Sequence, residues 1–169
     1  MDATTTDRTH ELKRLAGELR RIYEGEAWHG PSVREALSGV TAAQASGRSL
    51  PGAHTIFELT HHIAAWTGEV TRRLRGGTPS EPEDGDFPAP GAQVDEAKWE
   101  ATKALLAARN AELVAAILAF DPSRLDEVVG GAGTGPAESR ATFRTMLHGV
   151  VSHDAYHAGQ IVILRKGLD

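Results

Sequence analysis

Ser152-His153-Asp154-Ala155-Tyr156-His157-Ala158-Gly159-Gln160-Ile161 reads as the middle of an amphipathic helix. Phe143, Met146, Val150, His153, His157, Ile161 and Leu164 recur three and four residues apart, the spacing of one helical face. That face is apolar at both ends and imidazole in the middle. His153 and His157 stand one turn apart and point the same way, the spacing that lets two rings hold one metal ion. Gln160 follows one turn beyond His157 on the same side, and Gly159 leaves a bare patch where a second backbone or a ligand can approach. A lone histidine on an apolar face is ordinarily a core residue with one satisfied hydrogen bond. A pair asks for a third ligand from elsewhere in the chain.

Outward from that stretch, the pattern extends to a helix over residues 139–166, closed by Gly167, with Arg165 and Lys166 set against the negative end of its dipole. Residues 130–136 are glycine-rich but lack the Lys-Ser/Thr pair and the preceding strand of a phosphate cradle, so they read as a plain loop. A third long helix is expected over residues 93–120, where Trp99, Leu106, Leu113, Ile117 and Phe120 keep the helical period and Asp121-Pro122 ends it. Residues 76–92 collect prolines, glycines and acids and are expected to be a mobile surface loop, a crossover within one domain. A second long helix covers residues 55–75. Thr55-Ile-Phe-Glu58 has the capping-box form, and Gly76-Gly77 stops the helix. Its inward stripe is Ile56, Leu59, Ile63, Trp66, Val70 and Leu74. His62, three after Leu59 and four before Trp66, lies on the buried side, while His61 points about 100° away.

The first long helix spans residues 7–24, with Leu12, Leu15, Leu19 and Ile22 as its core stripe. Trp28-His29-Gly30-Pro31 breaks the chain, Pro31 introduces a short helix over residues 32–37, and Thr41-Ala-Ala-Gln44 caps another short turn before a loop over residues 47–52. Four long amphipathic segments without a strand signal predict an all-α fold, a four-helix bundle with a long crossover loop between helices two and three, as one domain over residues 1–169.

Composition narrows the function classes. There are no cysteines, so the chain offers neither disulfide nor thiolate, which suits the cytoplasm. The net charge of −5 and the pI near 5.9 argue against a nucleic-acid surface. No segment is long and apolar enough to span a membrane, and the N-terminus lacks a signal core.

His62 of helix two and the His153/His157 pair of helix four can meet inside such a bundle, as metal ligands on facing helices do. Three neutral imidazoles suit a divalent metal, zinc first, with nickel or ferrous iron as alternatives. Burying three imidazoles without a metal and with few partners is unfavourable. Three protein ligands also leave an open position, the arrangement of catalytic rather than structural zinc. Glu58, one turn before His62, is expected to cap the helix or to orient the His62 ring.

His54-Thr-Ile-Phe-Glu-Leu-Thr-His-His62-Ile-Ala-Ala-Trp66, together with His153-Asp-Ala-Tyr-His157-Ala-Gly-Gln160-Ile161, resembles the DinB/YfiT-like superfamily. Trp28-His29-Gly30 is similar to that family's entry after helix one, and the likeness covers nearly the whole chain in order and spacing. The resemblance implies a four-helix bundle, often a homodimer, with a divalent metal on three histidines, and places those ligands at His62, His153 and His157. It also implies a small-molecule substrate, with a low-molecular-weight thiol as cosubstrate in some relatives (thiol S-transferases, a thiol-dependent isomerase) and hydrolysis suggested for others. It carries no implication of nucleic-acid or membrane binding.

Around those ligands, Trp28, His29, Glu58, Tyr156 and Gln160 are candidates for the pocket or for support of the ligands. His54 is expected at the rim, His148 off the stripe and His10 in solvent. Three readings of function stay open. In the first, an enzyme uses the metal to activate a thiol cosubstrate or water against a small electrophile, with Glu58 or Asp154 as the candidate base. In the second, His153-Asp-Ala-Tyr-His157 stands one methylene from the His-Glu-x-x-His of zinc proteases, but Asp reaches less far and a bundle lacks the strand that holds an extended peptide. The third is a non-catalytic, metal-stabilised stress-response or binding protein.

Overall fold

Thr55 and Glu58 start the helix around which the other elements arrange. The Thr55 hydroxyl accepts from the Glu58 amide and the Glu58 carboxylate accepts from the Thr55 amide, closing the expected capping box, worth about 1 kcal/mol. The computed structural model describes residues 3–89, 91, 93–131 and 141–168. Its elements are α1 (Ala3–Glu24), α2 (Val33–Leu37), α3 (Ala42–Ser46), α4 (Ile56–Leu74), α5 (Glu96–Ala119), a 3-10 turn (Pro122–Arg124) and α6 (Phe143–Lys166). Among the described residues there is no strand, only an isolated bridge between Val128 and Thr142. The all-helical expectation and the order of the four long helices hold, and no described helix is long and apolar enough to cross a membrane.

Two apolar clusters fix the direction of each helix. One holds Ile22 of α1, Ile56, Leu59 and Ile63 of α4, Trp99 and Leu106 of α5, and Ala158, Ile161 and Leu164 of α6, with α2 and α3 closing over it. The other holds Leu12, Leu15 and Leu19 of α1, Val70 and Leu74 of α4, Leu113 and Ile117 of α5, and Phe143, Leu147 and Val150 of α6. Each such aliphatic side chain, fully buried, stabilises by roughly 1.5–3 kcal/mol. Since α4 and α5 both enter at the first cluster and leave at the second, they run parallel, and α1 and α6 run the other way. A parallel neighbour cannot be reached by a short turn, so residues 75–95 must travel the length of the bundle back. α4 packs between α5 and α6, and α1 packs against both.

The return segment differs from the mobile loop its composition suggests. At one end the buried Glu69 carboxylate gathers Arg72, Arg73 and the Ser80 amide. Further along, His61 Nε2 donates to the Asp84 carbonyl, and Arg109 reaches Asp84 at 2.7 Å across the bare backbone of Gly68, where an added Cβ would collide with the guanidinium. Trp66 Nε1 donates to the Asp86 carboxylate at 2.6 Å. Charged and aromatic side chains of α4 and α5 hold the segment, and the composition of the segment alone does not reveal them. Residues 90 and 92 of the expected loop lie outside the described residues.

Three helix starts shift. α1 begins at Ala3 rather than 7. α5 begins at Glu96 rather than 93, because the Asp95 side chain accepts from the Lys98 amide and caps it there. α6 begins at Phe143 rather than 139. The Phe143 and Arg144 amides bond to the Glu127 and Leu125 carbonyls, Val129 bonds back to Ala141, and Thr142 caps the helix. Of the glycine-rich loop expected over 130–136, residues 132–136 lie outside the described residues, as do 139 and 140 of the expected helix start.

Candidate metal centre

The inward stripes of α4 and α6 bring His62, His153 and His157 together at the edge of the first cluster. One ring nitrogen from each lies within 4.8 Å of the others. His62 Nε2 is 2.9 Å from His153 Nε2. The ring centroids are 4.9 Å apart for His62 and His153, 4.8 Å for His62 and His157, and 4.4 Å for His153 and His157. His62 and His157 are buried, and His153 is half-buried, so the cluster meets solvent on the His153 side. Among the described residues this is the group of histidines and acids with metal-holding geometry.

Each ring is turned by an oxygen on its Nδ1. His62 Nδ1 lies 2.9 Å from the Asp86 carboxylate and 3.1 Å from the Asp86 carbonyl. His153 Nδ1 lies 3.2 Å from the Asp154 carboxylate. His157 Nδ1 lies 2.6 Å from Gln160 Oε1, and the Gln160 amide in turn donates to the Tyr156 hydroxyl at 3.1 Å. These acceptors assign the proton of each imidazole to Nδ1, leaving three Nε2 lone pairs converging. Two such lone pairs 2.9 Å apart repel unless a cation or a shared proton lies between them. Protons are disfavoured: burial lowers the pKa of His62, against the raising influence of Asp86, and burial with the neighbouring imidazoles takes His157 down to about 4. The donor set therefore fits a divalent metal.

Aromatic packing completes the wall. Phe87 lies between two imidazoles, stacked on His62 at 4.4 Å and on His54 at 3.8 Å, with interplanar angles of 8° and 3°. Tyr156 is exposed, and its ring meets that of His157 edge-on at 5.0 Å, at the rim of the cluster.

Several sequence candidates take other places. Glu58 caps α4 and binds Arg48 at 3.1 Å and His54 at 3.2 Å, and the carboxylate that orients His62 is Asp86 instead. Asp154 is 2 % exposed and accepts from His153, so it positions a ring and is not placed to take a proton from an incoming molecule. Trp28 (102 % exposed) and the exposed His29 sit in the turn after α1 and take no part in the ring contacts and hydrogen bonds of the cluster. An added Cβ on Gly159 would meet open space, so its bare backbone serves no close approach here. His148 lies on the surface 3.5 Å from Glu11. Asp86 and Phe87 escape the sequence reading because they belong to no periodic pattern. The one signal for them was an acid and an aromatic in a proline-rich segment that had to pass α4.

A family model described as the DinB superfamily matches residues 26–161. Among solved structures, a conserved protein from Enterococcus faecalis is similar, with a TM-score of 0.64 and 19 % identity over 99 % of this chain and 98 % of that one, a likeness of fold. A search of the curated proteins gives no match.

Proposed function

The chain belongs to the DinB superfamily, and on that premise we propose that it is a divalent-metal enzyme in which His62, His153 and His157 hold the ion, zinc first and nickel or ferrous iron as alternatives, to activate a thiol cosubstrate or water against a small electrophile. The observation that carries this reading is the set of oxygens on the three Nδ1 atoms, from Asp86, Asp154 and Gln160, which leaves each Nε2 to serve as a ligand in a cluster whose ring nitrogens lie within 4.8 Å of one another. When bound, a divalent cation supplies Lewis acidity and brings the pKa of a thiol or water beside it towards neutral. The protein contributes position and exclusion. Phe87 and the apolar cluster keep water from one side of the imidazoles, while the half-buried His153 and the exposed Tyr156 leave the other side open to a small molecule. The Tyr156 hydroxyl, held by Gln160, is the polar group at that opening. With no cysteine in the chain, thiol chemistry needs the thiol as a second substrate.

The test is metal content of tag-free protein by elemental mass spectrometry, wild type beside His153→Ala, followed by turnover of a model electrophile with and without added thiol. Near-stoichiometric metal lost in the variant, with turnover that needs both metal and thiol, supports the transferase form. Turnover without thiol supports the hydrolase form. Bound metal without turnover of either kind leaves a metal-stabilised binding protein. No metal after reconstitution with zinc, nickel and iron overturns the reading.

A further inference from the structure

On three helices of the bundle an inward polar residue stands where the first apolar cluster gives way to the second. On α4, Ile63 belongs to the first apolar cluster and Val70 to the second, and Thr67 stands between them. On α5, Asn110 stands between Leu106 and Leu113, and on α6, Asp154 stands between Val150 and Ala158. Each is four residues from one apolar neighbour and three or four from the other, so each faces inward. All three are buried: Thr67 is 0 %, Asn110 3 % and Asp154 2 % exposed.

Two polar atoms of this layer are unspent. Thr60, Thr71 and Thr102 turn their hydroxyls back to the carbonyl four residues earlier, at 2.7 Å, 2.9 Å and 2.9 Å. Thr67 Oγ1 does not, and it and Asn110 Nδ2 find no hydrogen-bond partner among the described residues. Buried polar groups of this kind are satisfied, and one internal water with two to four polar partners is the ordinary means. A buried carboxylate can accept several hydrogen bonds, and the His153 ring supplies Asp154 with one.

We propose that Thr67, Asn110 and Asp154 hold one internal water between the two apolar clusters, and that this water, donating to the Asp154 carboxylate, makes Thr67 and Asn110 positioning residues for His153. The Thr67 hydroxyl and the Asn110 amide hold the water, the water holds the carboxylate, and the carboxylate holds the Nδ1–H of a metal ligand. The proposal rests on the three-histidine reading of the site.

Two arms test it. In the first, zinc affinity is measured by competition with a chromogenic chelator for wild type, Thr67→Val, Thr67→Ser and Asn110→Leu, beside the melting temperature of each metal-free protein. Thr67→Val should weaken zinc about 3- to 10-fold, below the 10- to 100-fold typical of a direct partner of a ligand. The metal-free protein should melt close to wild type, since Val keeps the shape of Thr and gives up only a hydrogen bond to water. Asn110→Leu should weaken zinc similarly, and Thr67→Ser, which keeps the hydroxyl, should bind as wild type does. In the second arm, magnetisation transfer from long-lived water to the Asn110 side-chain amide protons and the Thr67 methyl is read by NMR on metal-free wild type. Thr67→Val binding zinc like wild type overturns the positioning role, and absence of the water signal overturns the internal site. Wild type that binds no metal fails the three-histidine reading, and the water signal then still decides whether the layer is hydrated.

Discussion

α6 and the crossover segment orient the same cluster by opposite means. α6 carries two of the three histidines and turns both with its own residues: Asp154 next to His153, and Gln160 three residues beyond His157. α4 carries the third and has no such neighbour, so His62 is turned by Asp86, 24 residues downstream, on a segment that must itself be held by Trp66, His61, Arg109 and the Glu69 cluster. A ligand oriented within its helix is aligned as soon as the helix forms. A ligand oriented from a return segment is aligned only when a long stretch of irregular chain is in place. The partners also differ in charge. The Gln160 side chain raises the pKa of His157 against its burial, which still takes it down to about 4, and the Asp86 carbonyl and then its carboxylate raise that of His62 against its burial.

Acid sharpens this contrast most. In the metal-free protein the His157 pKa lies near 4, below the ordinary value of 6.5, so the unfolded chain binds the extra proton between those limits. The contribution of His157 to stability is complete above pH 6.5 and is lost as the pH falls towards 4, with a ceiling of roughly 3 kcal/mol. His62 acts in the same direction. Urea unfolding of the metal-free protein between pH 7.5 and 4 should show the loss, and His157→Gln should flatten the profile. A slope left unchanged in that variant would place the titration elsewhere.

Next in size are the two orienting partners. Asp86→Ala and Gln160→Ala should each weaken zinc about 10- to 100-fold, Asp86→Ala the more because a charge is lost. Only Asp86→Ala should also speed amide exchange over residues 78–89, since Trp66 loses its acceptor too. Equal exchange in both variants would break the contrast between local and remote orientation. Glu69→Ala removes a buried carboxylate that gathers Arg72, Arg73 and the Ser80 amide. It should destabilise by about 2 kcal/mol, read as a lower melting temperature, with a smaller fall in zinc affinity than Asp86→Ala. Smallest of all, Trp28→Ala and His29→Ala should leave zinc affinity within about 2-fold of wild type, as expected of residues outside the ligands' own hydrogen bonds.

What the sequence made legible follows the same division. The period of α4 and α6 brought His62, His153 and His157 to one place, and the Thr55–Glu58 box and Gln160 were readable from spacing, because each is a relation within one helix. The α6 start at Phe143 was not, since it is set by backbone bonds from residues 125–129. Asp86, Phe87 and the pinned return segment were not either, because their partners lie 20 and more residues away and follow no repeat. Glu58 shows how the two expectations for one residue divide, the capping role holding. Its place one turn before His62 suggested a partner for the ring, but the cap and the Arg48 and His54 contacts claim the carboxylate.

The parallel course of α4 and α5 also sets an order of events during synthesis. His62 leaves the ribosome 24 residues before Asp86 and 91 residues before His153. Contacts so far apart in sequence form late, after the local helices. A nascent chain therefore lacks His153 and His157, two of the three imidazoles of the cluster, until α6 is made. The three-histidine cluster comes into being only with α6, so any metal taken up there would report that the fold has closed.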